Sequence, residues 1–420
     1  MKDFSFLFIF AVGIVNFRFI LLSPFGVGEY AYFAIVIPCI VLFLHKPWAL
    51  QLKQLFIPSL NRTLTLTTIM SLLIIAGMVW YIGYANAYKK YKPILPIIIS
   101  VLVYMTLKVT PGDIRTSLRK HLSVLCRWII ILGGSLVLWD NACKNFEFIR
   151  NQILTPEDLF SFKSQFPEIN TRVYGHLLRL EGSAAGVLLA TIYLARKENR
   201  NLVLFGSLAV LASTSFVIIL VGLPLILLTY FDIQSMRPQN LIKSIRNLKW
   251  TPTLVFFLTI ILIVIALLGV GIIVRIQAYL QNTGLLRNFI PDFAGCDIRI
   301  FHNIMPSGDL PNCFFGESKT LGYMAQMGLL ILIPYFFYLF VIPVIFMVTK
   351  AGDRDSRNLR AGIFALAIIG FLHYEAVQYW GNNYLYGIAV YLCSGENQIP
   401  VAEPSIQLST DPFSNISGNS

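Results

Sequence analysis

The stretch Thr320-LGYMAQMGLLILIPYFFYLFVIPVIFM-Val348 carries no charged residue along its whole length. A helix rises about 1.5 Å per residue, so roughly 20 apolar residues cross the hydrocarbon core of a bilayer, and this run exceeds that. Backbone groups in hydrocarbon must be satisfied within the segment itself, which makes the run a transmembrane helix. Working outward, similar runs fall at Phe4 to Leu22, Tyr30 to Leu44, Thr63 to Tyr84, Pro93 to Leu107 and Leu122 to Trp139. Others follow at Leu180 to Ala195, Leu202 to Ala212, Phe216 to Phe231, Thr251 to Val274, Ala361 to Leu372 and Tyr384 to Cys393. Several are shorter than a perpendicular span, so their ends extend into flanking polar sequence or the bilayer thins around them.

Composition agrees. The 420 residues are 56% hydrophobic and 13% charged, with a mean hydropathy of +0.69, too apolar for a soluble domain that must keep a wettable surface. The expected fold is an all-α polytopic integral membrane protein, a bundle of about 12 transmembrane helices with two long outer loops. Residues 1–393 form one transmembrane domain, with those loops near 140–172 and 275–319. The tail 394–420 is polar, with Pro400, Pro404 and Pro412, and is expected to be disordered. The first apolar stretch is too long for a signal-peptide core and lacks a small-residue cleavage site after it, so the mature chain is expected to start near Met1.

Basic residues set the orientation. With the amino terminus inside, Met1 to Asp3, His45 to Arg62, Lys108 to His121, Arg196 to Arg200, Asp232 to Trp250 and Thr349 to Arg360 hold more than half of the 33 Lys and Arg residues. Positive loops stay in the cytoplasm, so both termini are expected there and the two long loops outside. Arg196 to Arg200 and the basic stretch after Phe231 need an even number of crossings between them. The apolar run 201–231 is therefore broken at Ser213-Thr214-Ser215, on the outer side. Lys89, Lys90 and Lys92 in the outer segment Ala85 to Lys92 run against this bias, as an anionic-headgroup site or as a solvated loop outvoted by its neighbours.

Cys39 and Cys126 lie in spans, Cys393 ends the last one, and Cys143 stands in the first long loop. Cys296 and Cys313 share the second, where an oxidising periplasm would let them close a ring worth roughly 3 kcal/mol in the chain-entropy model. No spacing suits a metal, and no cofactor is expected.

Chemistry-bearing residues gather on the outer side. Arg172, Gly175, His176, Arg179, Glu181, Gly182 and Gly186 lead into the sixth span. In helical conformation Arg172, His176 and Arg179 share a ridge of positive charge suited to phosphate or pyrophosphate, or to interfacial snorkelling. Glu181 falls about 180° from Arg172 on an ideal helix, so a break at a glycine would be needed to join them at one site. A carboxylate opening an apolar span is costly and marks function, whereas Gly182 and Gly186 suit close helix packing. In the second loop, Arg275 and Arg299 supply fixed charge, and His302 and Glu317 supply candidate bases. His373 and Glu375 lie at the outer end of the eleventh span, beside the interfacial aromatics Tyr374, Tyr379 and Trp380.

The order of these parts resembles the superfamily of O-antigen polymerases and O-antigen ligases of bacterial inner membranes. The matching elements are Arg172-x-x-Gly175 with Glu181 ahead of a small-residue span, Ser213-Thr214-Ser215 between two short apolar segments, and Arg275 after a span. His302-Asn303 and Glu317-Ser318, with Gly328 leading the next span, complete them. The likeness covers about half the chain, Arg172 to roughly Tyr338, through loose motifs.

The resemblance implies a metal-independent, inverting glycosyl transfer at the periplasmic face, with an undecaprenyl-diphosphate-linked oligosaccharide as donor. A diphosphate leaving group without a metal needs guanidinium, which pairs with phosphate oxygens bidentately and stays protonated. The resemblance maps the family's two arginines onto Arg172 and Arg275 and its loop histidine onto His302. Around His302 the chain departs from the ligase pattern through Pro306, Pro311 and Glu317, which makes Glu317 an alternative base beside Glu181. Substrate binding falls to Arg172, Arg275, Arg179, His176 and Arg299. Membrane lipid and, by the resemblance, a chain-length regulator and a flippase of the same pathway are the expected partners, and nucleic acid is not among them.

The expected function is polymerisation of lipid-linked repeat units into O-antigen, capsule or exopolysaccharide. A ligase transferring finished polymer to lipid A core shares the chemistry. Glu317-Ser318 and the aromatic-rich span after it favour the polymerase. A flippase for the same units is the alternative of another class; its kind usually has short loops and charges within the bundle, and here only Arg18 and Arg127 lie well inside spans. An ion-coupled solute transporter is disfavoured because no broken-helix repeat pair is evident.

Overall fold

The computed structural model describes residues 2–17, 59–83, 94–110, 114–145, 180–213, 216–232, 328–349, 351–372 and 381–394, together with Gln152 and Val377. Among them the chain is all helix, in ten continuous helices. The first three are α1 (Lys2–Asn16), α2 (Ser59–Ile82) and α3 (Leu95–Val109). Helix α4 runs through Arg115–Trp128, a π-turn at Ile129–Gly133 and Gly134–Asn145. Next come α5 (Leu180–Tyr193), α6 (Arg200–Ala212) and α7 (Phe216–Tyr230). Helix α8 is Leu329–Phe336, a π-turn at Phe337–Val341 and Ile342–Val348, followed by α9 (Arg354–Leu372) and α10 (Asn382–Ser394).

Ten of the twelve expected spans coincide with these helices; Tyr30 to Leu44 and Thr251 to Val274 lie outside the described residues. Three helical stretches, Asn61–Ile82, Arg115–Cys143 and Leu330–Val348, are long and apolar enough to cross a membrane, which suggests a multi-pass membrane protein.

The apolar pattern of α2 is inverted relative to a helix of a water-soluble protein. Asn61, Thr65, Thr68 and Ser71 are buried, while Leu66, Ile69, Met70, Leu72 and Leu73 are exposed. Lipid solvates leucine as well as a protein core does, so hydrogen bonds and close packing hold such helices together. Accordingly the Tyr104 hydroxyl of α3 donates to Asn61 Oδ1 at 2.8 Å. Ser71 and Tyr335 hydroxyls pair at 3.1 Å between α2 and α8, and Ser100 and Tyr338 pair at 2.8 Å between α3 and α8.

Helix α5 is the hub. Every residue from Ala184 to Ala195 is buried, and the helix packs on α4, α6, α7, α9 and α10. Its alanines and Gly186 permit the close approach: a methyl group on Gly186 would lie 2.7 Å from Oδ1 of Asn382 in α10. Its neighbours answer in kind, since a methyl on Gly222 would lie 2.7 Å, and one on Gly362 2.5 Å, from the side chains of Leu188 and Leu189. Helices α3 and α10 also meet closely, a methyl on Gly387 falling 2.5 Å from the Ser100 carbonyl oxygen.

The two π-turns have different settings. In α8, Pro343 has no N–H to offer the carbonyl of Leu339, one turn earlier. The buried hydroxyl of Tyr386 in α10 lies 3.0 Å from that oxygen and 2.9 Å from the carbonyl of Tyr338, satisfying groups that hydrocarbon would leave orphaned. In α4 the π-turn ends at Gly133, where a methyl would lie 3.1 Å from Val187 of α5.

One end of the bundle is held by the charged stretch 353–360. Asp353 caps α9, its Oδ1 accepting from the Ser356 N–H at 2.7 Å, so the helix starts at Arg354 rather than at the expected Ala361. Arg354 Nη2 donates to the carbonyls of Ala195 (3.3 Å), Thr229 (3.4 Å) and Tyr230 (3.1 Å). Asn358 donates to Tyr193 and Ala195, and Arg360, almost wholly buried, donates to the Phe346 and Thr349 carbonyls. The first two turns of α9 therefore close the C-terminal ends of α5, α7 and α8, where cations complement the helix dipoles.

Ion pairs Arg119–Asp353 (2.6 Å), Arg196–Asp355 and Arg357–Asp232 (3.0 Å) tie in α4 and the segments flanking α6 and α7. Because Ala195 and Tyr230 both meet Arg354, α6 and α7 form a hairpin whose turn begins at Ser213. Burial pushes the Asp353 carboxyl up, but the Ser356 N–H and the Arg119 guanidinium outweigh it and hold it below its ordinary value. At the same end, Ser5 of α1 bonds Ser117 of α4 at 2.6 Å and His121 Nδ1 at 3.2 Å.

Candidate functional site

The opposite end of the bundle is where α5, α8 and α10 begin and where α1, α4 and α6 finish. Of the sequence-predicted site residues, Arg172, His176, Arg179, Arg275, Arg299, His302 and Glu317 lie outside the described residues. So do Lys89, Lys90, Lys92, Cys296, Cys313, His373 and Glu375. Glu181 contributes its backbone to the first turn of α5. The chain thus delivers the end of the Arg172-to-Glu181 motif to the start of the central helix.

Around that start the described side chains are polar and buried. Asp140 and Asn141 of α4, Ser213 after α6, and Asn382 and Asn383 of α10 are all at most 7% exposed. Asn141 Nδ2 donates to the Ala212 carbonyl at 2.7 Å and so closes the C-terminus of α6, as Arg354 does for α7 at the other end. Asn383 Nδ2 donates to the Pro96 carbonyl at 3.3 Å, and its Oδ1 accepts from the Gly381 N–H at 3.1 Å. Gly381 has φ +98°, a left-handed conformation that favours glycine, and abuts Asn16 at the end of α1. Asn141 thus ties the end of α6 to α4, and Asn383 ties the start of α10 to the start of α3.

Asp140 differs in kind. It is the one charged side chain described at this end, and it is 4% exposed. The sequence reading places it, with Cys143, in the first long loop. The structure corrects this: α4 continues to Asn145, and Cys143 is buried within it. The signal was present in the sequence, because Asp140 and Asn141 stand two helical turns after the pair Gly133-Gly134 and so extend the same two faces. Among the described residues no group of three or more His, Cys, Asp or Glu side chains is placed to hold a metal.

This end of the bundle holds the buried Asp140 of α4 and the amino-terminal turn of α5, the end of a helix that favours negative charge. No protein family, curated protein or solved structure matches the chain, so the likeness to the polymerase and ligase superfamily rests on the residues quoted for it.

Proposed function

We propose that the chain is a glycosyltransferase of a bacterial inner membrane that polymerises undecaprenyl-diphosphate-linked oligosaccharide units into a surface polysaccharide at the periplasmic face. The observation that carries this reading is the constellation Arg172-x-x-Gly175 with Glu181 opening a small-residue helix, repeated in kind by Arg275, His302 and Glu317 in the second long polar segment. The apolar helical bundle supports membrane embedding. The central position of α5, the helix this motif opens, supports a site at its start.

In this mechanism Arg172 and Arg275, with Arg179, hold the donor diphosphate. Their guanidinium charge offsets the negative charge that grows on the leaving group. His176 and Arg299 border the same anion. The acceptor hydroxyl attacks the anomeric carbon as the bond to the diphosphate breaks, and its proton goes to a base. From sequence, Glu317, His302 and Glu181 are the candidates for that base. Both termini then lie in the cytoplasm, and the basic end of the bundle faces the cytoplasmic surface.

The test is a gel of surface and lipid-linked polysaccharide from a strain lacking the gene. Loss of the polymer ladder with single capped units remaining supports the polymerase. Polymer built on its carrier but missing from lipid A indicates a ligase, and units trapped on the cytoplasmic side indicate a flippase.

A further inference from the structure

We propose that the lipid-facing stripe of α4 docks an anionic phospholipid, with Arg127 on its phosphate, Lys120 beside its headgroup and an acyl chain along Ile131 and Leu132. The site belongs to the basic half of the bundle, away from the start of α5, and holds whatever reaction the protein performs.

The stripe follows from the register of α4. Leu118, Leu122 and Ile129 are buried and set the inward face of the helix. Lys120, Val124, Arg127 and Ile131, at steps of four, three and four residues, share the opposite face, and all four are exposed. Trp128 and Leu132, also exposed, widen it. Helix α4 starts at the basic end, where Arg119 pairs with Asp353. Eight residues on, Arg127 lies about 12 Å nearer the middle of the bundle. Helix α1 runs alongside in the same direction. Its Phe6 meets the His121 ring edge-on at 5.6 Å, and a methyl on its Gly13 would lie 3.4 Å from Leu125. Phe6, Leu7 and Phe10 of α1 are exposed beside the stripe. Apolar side chains thus face outward around and below the level of Arg127, so the arginine faces hydrocarbon rather than water.

A charge facing hydrocarbon is costly unless it reaches an anion or the interface. Arg119, Arg196 and Arg357 each meet an aspartate, whereas Lys120 and Arg127 make no ion pair or hydrogen bond among the described residues. Side chains on a helix lean toward its amino terminus, so both cations lean toward the basic end and the headgroups of the leaflet there. Polarity along the stripe then identifies the occupant. Its first turns are cationic and its next turns apolar, the order in which a lipid entering from that end presents headgroup and chain. A membrane-spanning partner with one buried acid would answer Arg127 and offer nothing to Lys120, two turns nearer the surface. A phosphodiester suits the pair, because the guanidinium can grip two of its oxygens while the ammonium adds a point charge on the water side.

The experiment takes the purified full chain in detergent, adds phosphatidylglycerol or phosphatidylcholine, and counts retained lipid by native mass spectrometry. Wild type should keep phosphatidylglycerol in preference, since in phosphatidylcholine the headgroup's own cation neutralises the phosphate. Arg127→Gln should weaken that retention by about fivefold, Lys120→Gln by less, and Arg127→Lys should keep part of it. Lys197→Gln, an exposed cation before α6 and outside the stripe, should change nothing. Equal retention of the two lipids by wild type, or retention of phosphatidylglycerol unchanged in Arg127→Gln, would overturn the proposal. Displacement of the lipid by inorganic phosphate would assign the cations to a soluble anion, and a lipid-free wild-type dimer split by Arg127→Gln would assign the stripe to a second copy of the chain; either result overturns it as well. Should Arg127→Gln lower the unfolding midpoint in detergent, Arg127→Leu, which suits a lipid-facing position, is read in its place.

Discussion

The Arg354 guanidinium lies 3.1 Å from the carbonyl oxygen of Tyr230, and so a residue at the start of α9 closes the end of α7, 124 positions away in the chain. The same nitrogen reaches Ala195 after α5. Arg354→Ala should take a donor from three helix-terminal carbonyls, of which Ala195 keeps Asn358 and Thr229 keeps the Asp232 N–H, and cost about 1–2 kcal/mol, read as a lower midpoint of thermal unfolding in detergent. Lysine should restore part of this, because a single nitrogen, Nη2, makes all three contacts, while the more strongly hydrated ammonium is costlier to bury.

Tyr386→Phe isolates the effect of a single hydroxyl. The ring stays, but the carbonyls of Tyr338 and Leu339 lose their donor beside Pro343. The expected loss is about 1–2 kcal/mol in the same unfolding measurement, and a Tyr386→Phe protein as stable as wild type would show that the π-turn needs no external donor.

Two glycines should respond differently to alanine. At Gly387 the added methyl would meet the Ser100 backbone carbonyl at 2.5 Å, and a backbone cannot rotate away. At Gly186 it would meet the Asn382 side chain at 2.7 Å. Both substitutions overpack, at about 1–3 kcal/mol, with Gly387→Ala the more severe. Asn382→Ala should relieve part of the cost of Gly186→Ala in a double-mutant cycle, whereas additive losses would mean the two residues are not in contact.

The Arg119–Asp353 pair predicts a small acid sensitivity. The folded-state carboxyl lies below its ordinary value of 3.8, so its contribution is present above that value and is lost as pH falls through the lowered one. Asp353 is 47% exposed, so solvent screening keeps the ion pair to a few tenths of a kcal/mol, about 0.5 at most. Unfolding midpoints of wild type and Asp353→Asn should therefore differ near neutral pH and converge on acidification.

The helices were legible in the sequence because hydrocarbon demands long uncharged runs. The apolar run Thr63 to Tyr84 lies within a few residues of Ser59–Ile82, and basic residues on both flanks of 201–231 require the break that falls at Ser213. The misplaced boundaries share a physical cause. Arg354, Asn358 and Arg360 look like loop residues by polarity, yet they stand inside α9 because the carbonyls of three other helices receive them. Asp140 reads as the first residue of a loop because a carboxylate usually ends an apolar run, yet α4 continues past it to Asn145. Such pairings join residues far apart in the chain, and no local pattern encodes them. The arginines, histidines and Glu317 of the proposed site rest on sequence spacing.

The most direct measurement is polymer formation by the purified full chain in vesicles containing lipid-linked repeat units, with wild type beside Arg172→Lys and Arg275→Lys. The account predicts a ladder of products from wild type without added metal and a rate lower by about 10²-fold or more in each variant. Wild-type rates in both variants would contradict the assignment of the arginines, and the absence of any glycosyl transfer by wild type would contradict the enzyme reading as a whole.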